Sequence, residues 1–354
     1  MQNQRKYLIT GGCGFIGSSM VRNLLEKGEY VINIDKLTYA SNEKSIGDIN
    51  LQNYKIIKSD INEPNLIQNT LNADKPNYVI HLAAESHVDR SIDDPSNFIN
   101  TNIVGTYNMI HNSYNYWKNL EKNRRDNFRF IYVSTDEVYG SLNINDQVFT
   151  EKSPFRSNSP YAASKASGDL LARAWYKTFK FPIIITNSSN NYGIWQFPEK
   201  LIPLVIKKCL KNQEIPVYGD GKQIRDWINV EDNVSGIISV IEKGKIGSSY
   251  NIGSTNEISN IELVRLICSI LDSIEPKKNG SYEDLISFVK DRPAHDFRYA
   301  LDVSKMRNDL GWEAKISFNK GLTETIEWYL NNRDWLLNSI ENKYDGARLG
   351  IIKE

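Results

Sequence analysis

Short apolar runs alternate with longer amphipathic segments along the first half of the chain. The apolar runs predict buried strands at Lys6–Thr10, Tyr30–Asp35, Tyr54–Lys58, Tyr78–Leu82, Phe128–Val133 and Ile183–Asn187. The segments between them predict helices that end near Lys27, cover Glu63–Asn72 and Pro95–Trp117, and surround Tyr161–Lys165. Because regular strand–helix alternation is typical of a doubly wound parallel sheet, we predict a Rossmann-type α/β fold.

Composition excludes several classes of protein without naming a function. The 354 residues include 43 Lys plus Arg and 43 Asp plus Glu, so net charge gives no reason to expect nucleic acid or a membrane as a partner. Cys13, Cys209 and Cys268 are scattered, which predicts reduced thiols and no metal site. The polar start does not resemble a signal peptide, and no apolar run approaches the roughly 20 residues that span a bilayer. We therefore expect a soluble, cytoplasmic protein.

A glycine-rich turn follows the first predicted strand. Gly11, Gly14 and Gly17 give G-x-x-G-x-x-G, a spacing variant of the dinucleotide fingerprint. Such glycines let the backbone turn tightly and approach a pyrophosphate at the positive end of the next helix. Asp35 ends the second strand, where a carboxylate accepts hydrogen bonds from the adenosine ribose and would repel a 2′-phosphate. The motif alone is weak evidence, but its position in a strand–helix–strand unit predicts binding of NAD rather than NADP.

The alternation becomes irregular after Asn187. Short strands at Pro216–Tyr218 and Arg225–Ile228 flank a Gly-Asp-Gly turn. Helices are predicted at Glu199–Lys211, Val230–Glu242, Ile261–Asp272 and around Glu324–Leu330, followed by a polar tail. We predict an NAD-binding Rossmann domain over residues 1–190. Residues 191–354 then form mainly a smaller α+β lobe that binds the substrate, with the chain crossing between the two lobes.

Polar side chains follow the strand Phe128–Val133, as Ser134-Thr135-Asp136-Glu137. In an open α/β sheet, ligands bind outside the carboxyl ends of the strands. Paired acids in a loop are often merely solvated, but this position favours a chemical role. If the site also oxidises an alcohol, a further acid/base pair implies an elimination or an epimerisation in addition to the oxidation.

Tyr161 and Lys165 lie four residues apart in a helical run and therefore share one face. An ammonium beside a phenol favours the phenolate, so we expect the pKa of Tyr161 to be lowered and the phenol to accept a proton from a sugar hydroxyl. Tyr-x-x-x-Lys alone is more often a surface pair; downstream of a dinucleotide fingerprint we favour catalysis. His81 lies within an apolar strand, and we predict a hydrogen-bonded core histidine.

These motifs resemble the extended short-chain dehydrogenase/reductase superfamily. Within its NAD-dependent sugar epimerase/dehydratase branch, the chain resembles the dTDP-glucose 4,6-dehydratase family over nearly its whole length. The matching segments are Asp35–Ala40, Ala84–Asp89, Ser134–Gly140, Pro160–Lys165, Asn190–Gly193, Phe197–Pro203, Ile224–Trp227 and Asp291–His295. The superfamily motifs are widely shared, whereas the Thr135-Asp136-Glu137 triplet is the narrower signal. One departure is Ile194-Trp195-Gln196, where the family often has a Pro-Tyr-like pair.

The resemblance implies conversion of dTDP-glucose to dTDP-4-keto-6-deoxyglucose and water, as in deoxysugar (for example dTDP-rhamnose) biosynthesis, with NAD regenerated each turnover. Tyr161 then takes the C4 hydroxyl proton while Thr135 hydrogen-bonds that hydroxyl. Lys165 holds the nicotinamide ribose. Glu137 removes the C5 proton, and Asp136 protonates the departing C6 hydroxyl. One carboxylate must be ionised and the other protonated, which neighbouring acids in a closed pocket supply.

Binding residues are implied in the same way, since they occupy matching positions. For NAD they are Gly11, Gly14, Phe15, Ile16, Gly17, Asp35, Lys36, Thr38, Asp60, Ile61, Leu82, Ala83, Ala84, Thr101, Tyr161, Lys165 and Asn191. For the nucleotide sugar they are Ser86, Thr135, Asn190, Lys200, Leu201, Pro216, Tyr218, Arg225, Asn260, Arg292 and His295. Arginines suit a diphosphate because their planar fork makes bidentate hydrogen bonds.

Other functions use the same oxidation step. A UDP-sugar 4-epimerase lacks the acid pair, and a GDP-mannose dehydratase has Ser in place of Asp136; a UDP-glucuronate decarboxylase is a further relative. A non-catalytic NAD-sensing protein is an alternative of a different class, but such proteins typically lose Tyr161 or Lys165. The preference for thymine over uracil as the base of the substrate rests on the resemblance alone, because one methyl group gives only about 1–3 kcal/mol of discrimination.

The resemblance also implies a homodimer joined through two long helices of each subunit, one of them carrying Tyr161 and Lys165. Pro95–Trp117 is the expected partner helix, with Ile99, Ile103, Tyr107 and Ile110 at helical spacing. Ordinary packing onto the sheet predicts the same spacing, so the sequence leaves both interpretations open.

Overall fold

The computed structural model describes residues 4–47, 51–338 and 349–350. Its strands are β1 Lys6–Thr10, β2 Tyr30–Asp35, β3 Tyr54–Lys58, β4 Tyr78–His81, β5 Arg129–Thr135, β6 Ile183–Ser188, β7 Asn190–Tyr192, β8 Ile215–Tyr218, β9 Ile224–Asn229, β10 Ser249–Ile252, β11 Glu257–Ser259 and β12 Ile286–Val289. Its α-helices are α1 Phe15–Glu26, α2 Pro64–Asp74, α3 Val88–Asp93, α4 Ser96–Phe98, α5 Thr106–Lys118, α6 Lys122–Asn127, α7 Pro160–Phe179, α8 Leu201–Leu210, α9 Val230–Lys243, α10 Asn260–Ile274, α11 Phe318–Asn331 and α12 Arg333–Asn338.

A parallel sheet of seven strands forms the centre, in the order β10-β6-β5-β4-β1-β2-β3. Its strands are apolar and mostly buried, as expected where helices cover both faces. Strands β2 and β3 are added on one side of β1, and β4 and the later strands are added on the other side. In open α/β sheets, ligands bind outside the carboxyl ends of the strands at such a change in strand order. The Rossmann-type α/β prediction is therefore confirmed.

Smaller sheets lie in the later half of the chain. One joins β11, β9 and β7, and another pairs β12 with β8. The strands on either side of the Gly-Asp-Gly turn thus do not pair with each other. Helices α8, α10 and α11 enclose a separate apolar cluster around Val205, Ile267 and Ile326. These elements form the smaller α+β lobe.

The six strands predicted in the first half are confirmed to within two residues at either end. Three short strands were not predicted: β10, β11 and β12 lack long apolar runs. Asn190–Tyr192 lies in the region after Asn187 where we predicted no regular strand, and it forms strand β7, which pairs in parallel with β9. Helix α12 occupies the start of the predicted polar tail and buries Leu336; the rest of that tail, apart from residues 349–350, lies outside the described residues.

Local sequence explains how α7, the helix that carries Tyr161 and Lys165, begins. Ser159 precedes α7 and its side chain accepts a hydrogen bond from the Ala162 backbone N–H, while Pro160 occupies the first turn, where its missing N–H costs nothing. The helix ends at Lys180 in the left-handed conformation. Tyr161 and Lys165 are therefore fixed in the first two turns of a helix that packs against β5.

The long helix predicted over Pro95–Trp117 is interrupted. A π-helical stretch, Ile99–Gly105, separates α4 from α5. Ile110 is fully buried, whereas Ile99 and Tyr107 are 46% and 41% exposed. The helically spaced apolar positions therefore do not form one uniformly buried stripe, and a dimer contact remains a prediction.

Two smaller predictions are confirmed. His81 is buried, and its ring nitrogens lie 2.7 Å from Thr10 Oγ1 and 3.0 Å from Thr106 Oγ1, as a hydrogen-bonded core histidine requires. The three cysteines are free and buried. Within the described ranges, none of the helices combines the length and apolar character needed to cross a membrane.

Replacement of Gly17 tests how closely the glycine turn is packed. A Cβ at Gly17 would lie 2.0 Å from the Gly11 carbonyl oxygen, whereas one at Gly14 would meet no atom closer than 3.2 Å. We expect Gly17→Ala to lower the free energy of unfolding by about 2 kcal/mol, measured by chemical denaturation, because backbone must shift. Gly14→Ala is the matched control and should cost clearly less. Equal losses for the two variants would contradict this account.

Candidate active site

Two adjoining cavities lie at the carboxyl ends of the central strands. The glycine-loop cavity, of about 270 Å³, is bounded by Gly11–Gly17 and the ends of β2 and β4. The acid cavity, of about 350 Å³, is bounded by Thr135–Glu137 and residues of the smaller lobe. They share a wall formed by Phe15, Ile16, Ser86, Ser134, Tyr161, Gln196, Glu199 and Lys200. Molecules bound in the two cavities would therefore meet beside Tyr161.

The glycine-loop cavity has the features of a diphosphate site. Gly14 is the N-cap of α1 and, having no side chain, cannot cap the first-turn amides of that helix. Gly11 adopts a positive φ of 74°, and a Cβ there would lie 2.8 Å from the Ala83 backbone. The loop can close only with glycine, and it leaves backbone N–H groups and the positive helix end facing the cavity. The residues present fit a dinucleotide.

Asp35 lines this cavity, and its hydrogen bonds also hold the surrounding loops in place. Its carboxylate accepts hydrogen bonds from Cys13 N at 2.8 Å, Leu37 N at 2.7 Å and Ser41 Oγ at 3.0 Å. A carboxylate offers about four acceptor sites, so it retains capacity for a ribose hydroxyl. Lys36 pairs with Asp60 at 2.7 Å on the same rim. No basic side chain is thus left beside Asp35 for a 2′-phosphate among these rim residues.

The predicted cofactor residues gather in one place. All but Asn191 line the glycine-loop cavity. Asn191 lines the acid cavity instead. Ala83 and Ala84 are small enough to leave room at the end of β4.

The Thr135-Asp136-Glu137 triplet begins at the last residue of β5 and lines the acid cavity. Thr135 is the last strand residue, and a 3-10 turn over Asp136–Tyr139 follows it. Thr135 Oγ1 donates to Asp136 Oδ1 at 3.2 Å and accepts from Glu137 N at 3.3 Å. Asp136 Oδ2 is buried and has no partner among the described residues. The threonine thus orients both acids, and one carboxyl oxygen is left for a ligand.

The two acids sit in different electrostatic environments. Burial raises the pKa of Asp136 well above its ordinary value, and the charges of Glu137 and Asp226 add to the rise. Burial also raises the pKa of Glu137, but Arg292, Arg225 and Lys200 oppose that rise. The cations favour ionised Glu137, and ionised Glu137 favours protonated Asp136. The pair can therefore provide one base and one acid.

The expectation for the Tyr161 phenol needs correction. Burial raises the pKa of Tyr161, and the charge of Glu137 raises it further, while a hydrogen bond with Thr135 opposes the rise. Lys165 does not contribute because its Nζ donates to Val133 O at 2.8 Å and lies 4.3 Å from the Tyr132 ring centroid. These contacts favour the protonated phenol, so the prediction that Lys165 lowers the pKa of Tyr161 is wrong.

Lys165 belongs to a buried network with a carboxylate that the sequence analysis did not consider. Asp169 lies one turn further along α7 and has an exposed fraction of 0%. It accepts hydrogen bonds from Ser134 Oγ and, at 3.4 Å, from Asn187 Nδ2; the same amide reaches Thr135 O at 3.3 Å. Burial lowers the pKa of Lys165 and the charge of Asp169 opposes that change. Asp169 thus ties helix α7 to the strand that carries the acids.

Two arginines face the acid cavity from the smaller lobe: Arg225 is buried and Arg292 is partly exposed. Arg225 donates to Ile224 O and Asp296 O and stacks on Tyr299 at 4.2 Å. Arg292 Nη1 pairs with Asp89 Oδ1 at 2.5 Å. Of these contacts, only the one between Arg292 and Asp89 brings a negative charge. The two arginines therefore leave a net positive charge at this wall, which suits an anionic ligand such as a diphosphate.

Every predicted substrate residue lines the acid cavity. The set comprises Ser86, Thr135, Asn190, Lys200, Leu201, Pro216, Tyr218, Arg225, Asn260, Arg292 and His295. Of the predicted catalytic residues, Thr135, Asp136, Glu137 and Tyr161 line the acid cavity, whereas Lys165 lines the glycine-loop cavity.

Some site residues escaped the sequence analysis. Glu199 lines both cavities, accepts from Tyr39 Oη at 2.8 Å and pairs with Arg90 at 2.9 Å, so it joins the two rims. Asp89 holds Arg292, as described above. Both lie inside segments that carried the family resemblance, and that position was the available signal. Gln196 also lines both cavities, but it falls in the segment that departs from the family pattern.

Comparison with known proteins agrees with this geometry. The sequence model of the family described as GDP-mannose 4,6 dehydratase matches residues 8–325. The dTDP-glucose 4,6-dehydratase of Haemophilus influenzae is 49% identical over 330 residues, which is 92% of this chain and 98% of that protein.

Two solved structures show the same fold. DesIV, the dTDP-glucose 4,6-dehydratase of Streptomyces venezuelae, was crystallised with NAD and dTDP bound; it is 38% identical, with a TM-score of 0.86 over 95% of this chain and 100% of that one. The UDP-glucose 4-epimerase of Thermotoga maritima, with UDP-glucose, is 26% identical, with a TM-score of 0.82 over 93% and 99%. Since nearly half of the residues match a full-length dehydratase, the chain belongs to the dTDP-glucose 4,6-dehydratase family.

Proposed function

We propose that the protein converts dTDP-glucose to dTDP-4-keto-6-deoxyglucose and water, with NAD as its cofactor. The observation that carries this function is the meeting of Thr135, Asp136, Glu137 and Tyr161 in one cavity that adjoins the glycine-loop cavity. Of these four side chains, the oxidation of an alcohol by NAD needs only the tyrosine, as the base. The two further acids supply the base and the acid that an elimination requires.

The glycine turn, Asp35 and Lys165 would hold NAD in the glycine-loop cavity. The chemistry that NAD supplies when bound is acceptance of hydride from sugar C4 and its return at C6. Thr135 would orient the C4 hydroxyl, and Tyr161 would take its proton once the phenol has lost its own, a loss that the positive charge of bound NAD favours. The resulting ketone acidifies the C5 proton.

Glu137 then removes that proton, because three nearby cations favour its ionised form. Asp136 donates a proton to the departing C6 hydroxyl, since its environment keeps the carboxyl neutral. Return of that proton from Glu137 to C5 completes the product, and passage of the C4 hydroxyl proton from Tyr161 to Asp136 restores the remaining groups. Arg225 and Arg292 would hold the diphosphate while Lys200 and Asn190 border the sugar.

The alternatives account for fewer of these residues. A UDP-sugar 4-epimerase or UDP-glucuronate decarboxylase uses the same oxidation step, and an epimerase has no use for the Asp136–Glu137 pair. A GDP-mannose 4,6-dehydratase carries Ser where Asp136 stands. A non-catalytic NAD-sensing protein has no need of any of the four reactive side chains.

Several features of the proposal rest on the family resemblance. A homodimer is supported by exposed apolar side chains on α7 and the neighbouring π stretch, namely Leu170, Phe179, Ile99 and Val104. The division into a cofactor domain over residues 1–190 and a substrate lobe over 191–354 is retained, with β10 crossing back into the main sheet. A cytoplasmic location, dTDP-rhamnose or another deoxysugar as the end of the pathway, and preference for thymine over uracil follow from the same resemblance.

Incubation of the purified protein with dTDP-glucose tests the function directly. We expect a loss of 18 mass units, because the net reaction releases one water, with no net accumulation of reduced cofactor. UDP-glucose and GDP-mannose are the comparison substrates and should react more slowly. Conversion of glucose to galactose at unchanged mass would mean an epimerase and would contradict the roles given to Asp136 and Glu137.

Glu137→Gln separates the first step from the second. Oxidation at C4 should proceed and elimination should stall, since the amide cannot remove the C5 proton. We expect kcat to fall by about 10²- to 10⁴-fold, with a single-turnover rise in absorbance at 340 nm that does not decay. Glu327→Gln, the same change on an exposed face of α11, is the control. Normal turnover by the Glu137 variant would remove this residue from the mechanism.

Asp169→Asn tests the buried charge beside Lys165. The anion of Asp169 raises the pKa of Lys165, so its loss should lower that pKa. Activity that needs a charged Lys165 should then decline at a lower pH: the alkaline limb of kcat/KM moves toward acid. Asparagine keeps the shape and an acceptor for Ser134. Exposed Asp126→Asn is the matched control, and an unmoved alkaline limb would show that Asp169 has no electrostatic role.

A further inference from the structure

The loop between β7 and α8 carries a conformational irregularity at Trp195. Its φ is 66°, in the left-handed region that a bulky side chain seldom adopts. A non-glycine residue persists there only where the surrounding structure holds it. This loop contains the Ile194-Trp195-Gln196 segment that departs from the family pattern.

Aromatic side chains of the smaller lobe hold this loop in place. The Trp195 ring packs edge-on against Trp328, with centroids 4.7 Å apart, and against Trp335 at 5.2 Å. Tyr329 Oη donates to Gln196 O at 2.8 Å, with Gly193 O also within reach at 3.3 Å. The backbone at Gln196 is therefore fixed from the side facing away from both cavities.

The side chain of Gln196 is held at the wall that the two cavities share. It is 7% exposed, and its Nε2 donates to Asn191 O at 2.9 Å. Its Oε1 has no hydrogen-bond partner in the described part of the chain. With the nitrogen engaged by the protein, the oxygen is the group available to a bound molecule.

The chemistry of an amide oxygen limits what it can bind. It only accepts hydrogen bonds, so phosphate and carboxylate oxygens, which carry no hydrogen at neutral pH, are excluded. A buried acceptor without a partner is costly, which favours a ligand that brings an N–H or O–H group. The nicotinamide carboxamide and the hexose hydroxyls are the neutral donors at the reacting ends of the two bound molecules; the ribose hydroxyls of NAD are also donors, but ADP-ribose carries them too.

We propose that Gln196 is a ligand-binding residue whose Oε1 accepts a hydrogen bond from a neutral donor where cofactor and sugar meet. The aromatic cluster of Trp195, Trp328 and Trp335 is the support that sets its position. This inference rests on the proposed function for the identity of the two ligands. It adds a contact at the reacting end of the site.

Paired binding measurements on Gln196→Met test the proposal, since methionine keeps the length and removes the acceptor. If the donor is the carboxamide, NAD should bind about 5- to 10-fold more weakly to the cofactor-stripped variant while ADP-ribose, which lacks nicotinamide, is unaffected. If the donor is a hexose hydroxyl, the same loss should appear for dTDP-glucose against dTDP in the NAD-loaded variant. Either ratio change supports the proposal and identifies the donor.

Two further variants make the result decisive. Gln196→Asn keeps the amide but shortens its reach, so it should reproduce the change in ratio even if methionine disturbs the fold. Gln223→Met is the matched control, because Gln223 is also 7% exposed with an unpartnered Oε1 but lines neither cavity. Unchanged ratios in both Gln196 variants, or an equal change in the control, would overturn the proposal. Selective loss of binding in a chain that does not dehydrate dTDP-glucose would reject the proposed function alone.

Discussion

The buried carboxylate of Asp169 connects the two parts of the active site. One part is the end of β5, with its threonine and two acids; the other is the start of α7, with Tyr161 and Lys165. Ser134 and Asn187 bond to Asp169 from the sheet side, and Lys165 reaches the same strand through Val133 O. A fully buried charge is tolerated only where hydrogen bonds and an opposite charge offset its desolvation. The relative position of strand and helix, and hence of all four reactive side chains, depends on this network.

The same principle of unequal environments divides the two acids into base and acid. They are adjacent in sequence, yet Glu137 faces three cations and Asp136 is enclosed beside another carboxylate. The charge of Glu137 also raises the pKa of the Tyr161 phenol. Its proton affinity is therefore set by the whole cavity rather than by its helical neighbour. The cations proposed to hold a diphosphate thus also influence the protonation of the groups proposed to act on the sugar.

The sequence predicted the elements that have strong local signals. Apolar runs located the six strands of the first half, and the glycine spacing together with the family resemblance located the residues of both cavities. It could not show that Lys165 bonds to Val133 instead of approaching Tyr161, because that contact depends on how α7 packs on β5. Strand β10 escaped notice since Ser249–Ile252 is short and half polar. The π stretch was missed for a related reason: helical spacing assumes a constant number of residues per turn.

Strand β10 has a consequence for how the chain reaches its native state. It comes from residues 249–252, yet it pairs with β6 at the end of the main sheet. During synthesis, β6 leaves the ribosome about 60 residues earlier and presents an unpaired edge until β10 arrives. Exposed edges of this kind template association between chains. A nascent or truncated product that ends before β10 is thus exposed to aggregation, and the nucleotide-binding half does not complete its own sheet.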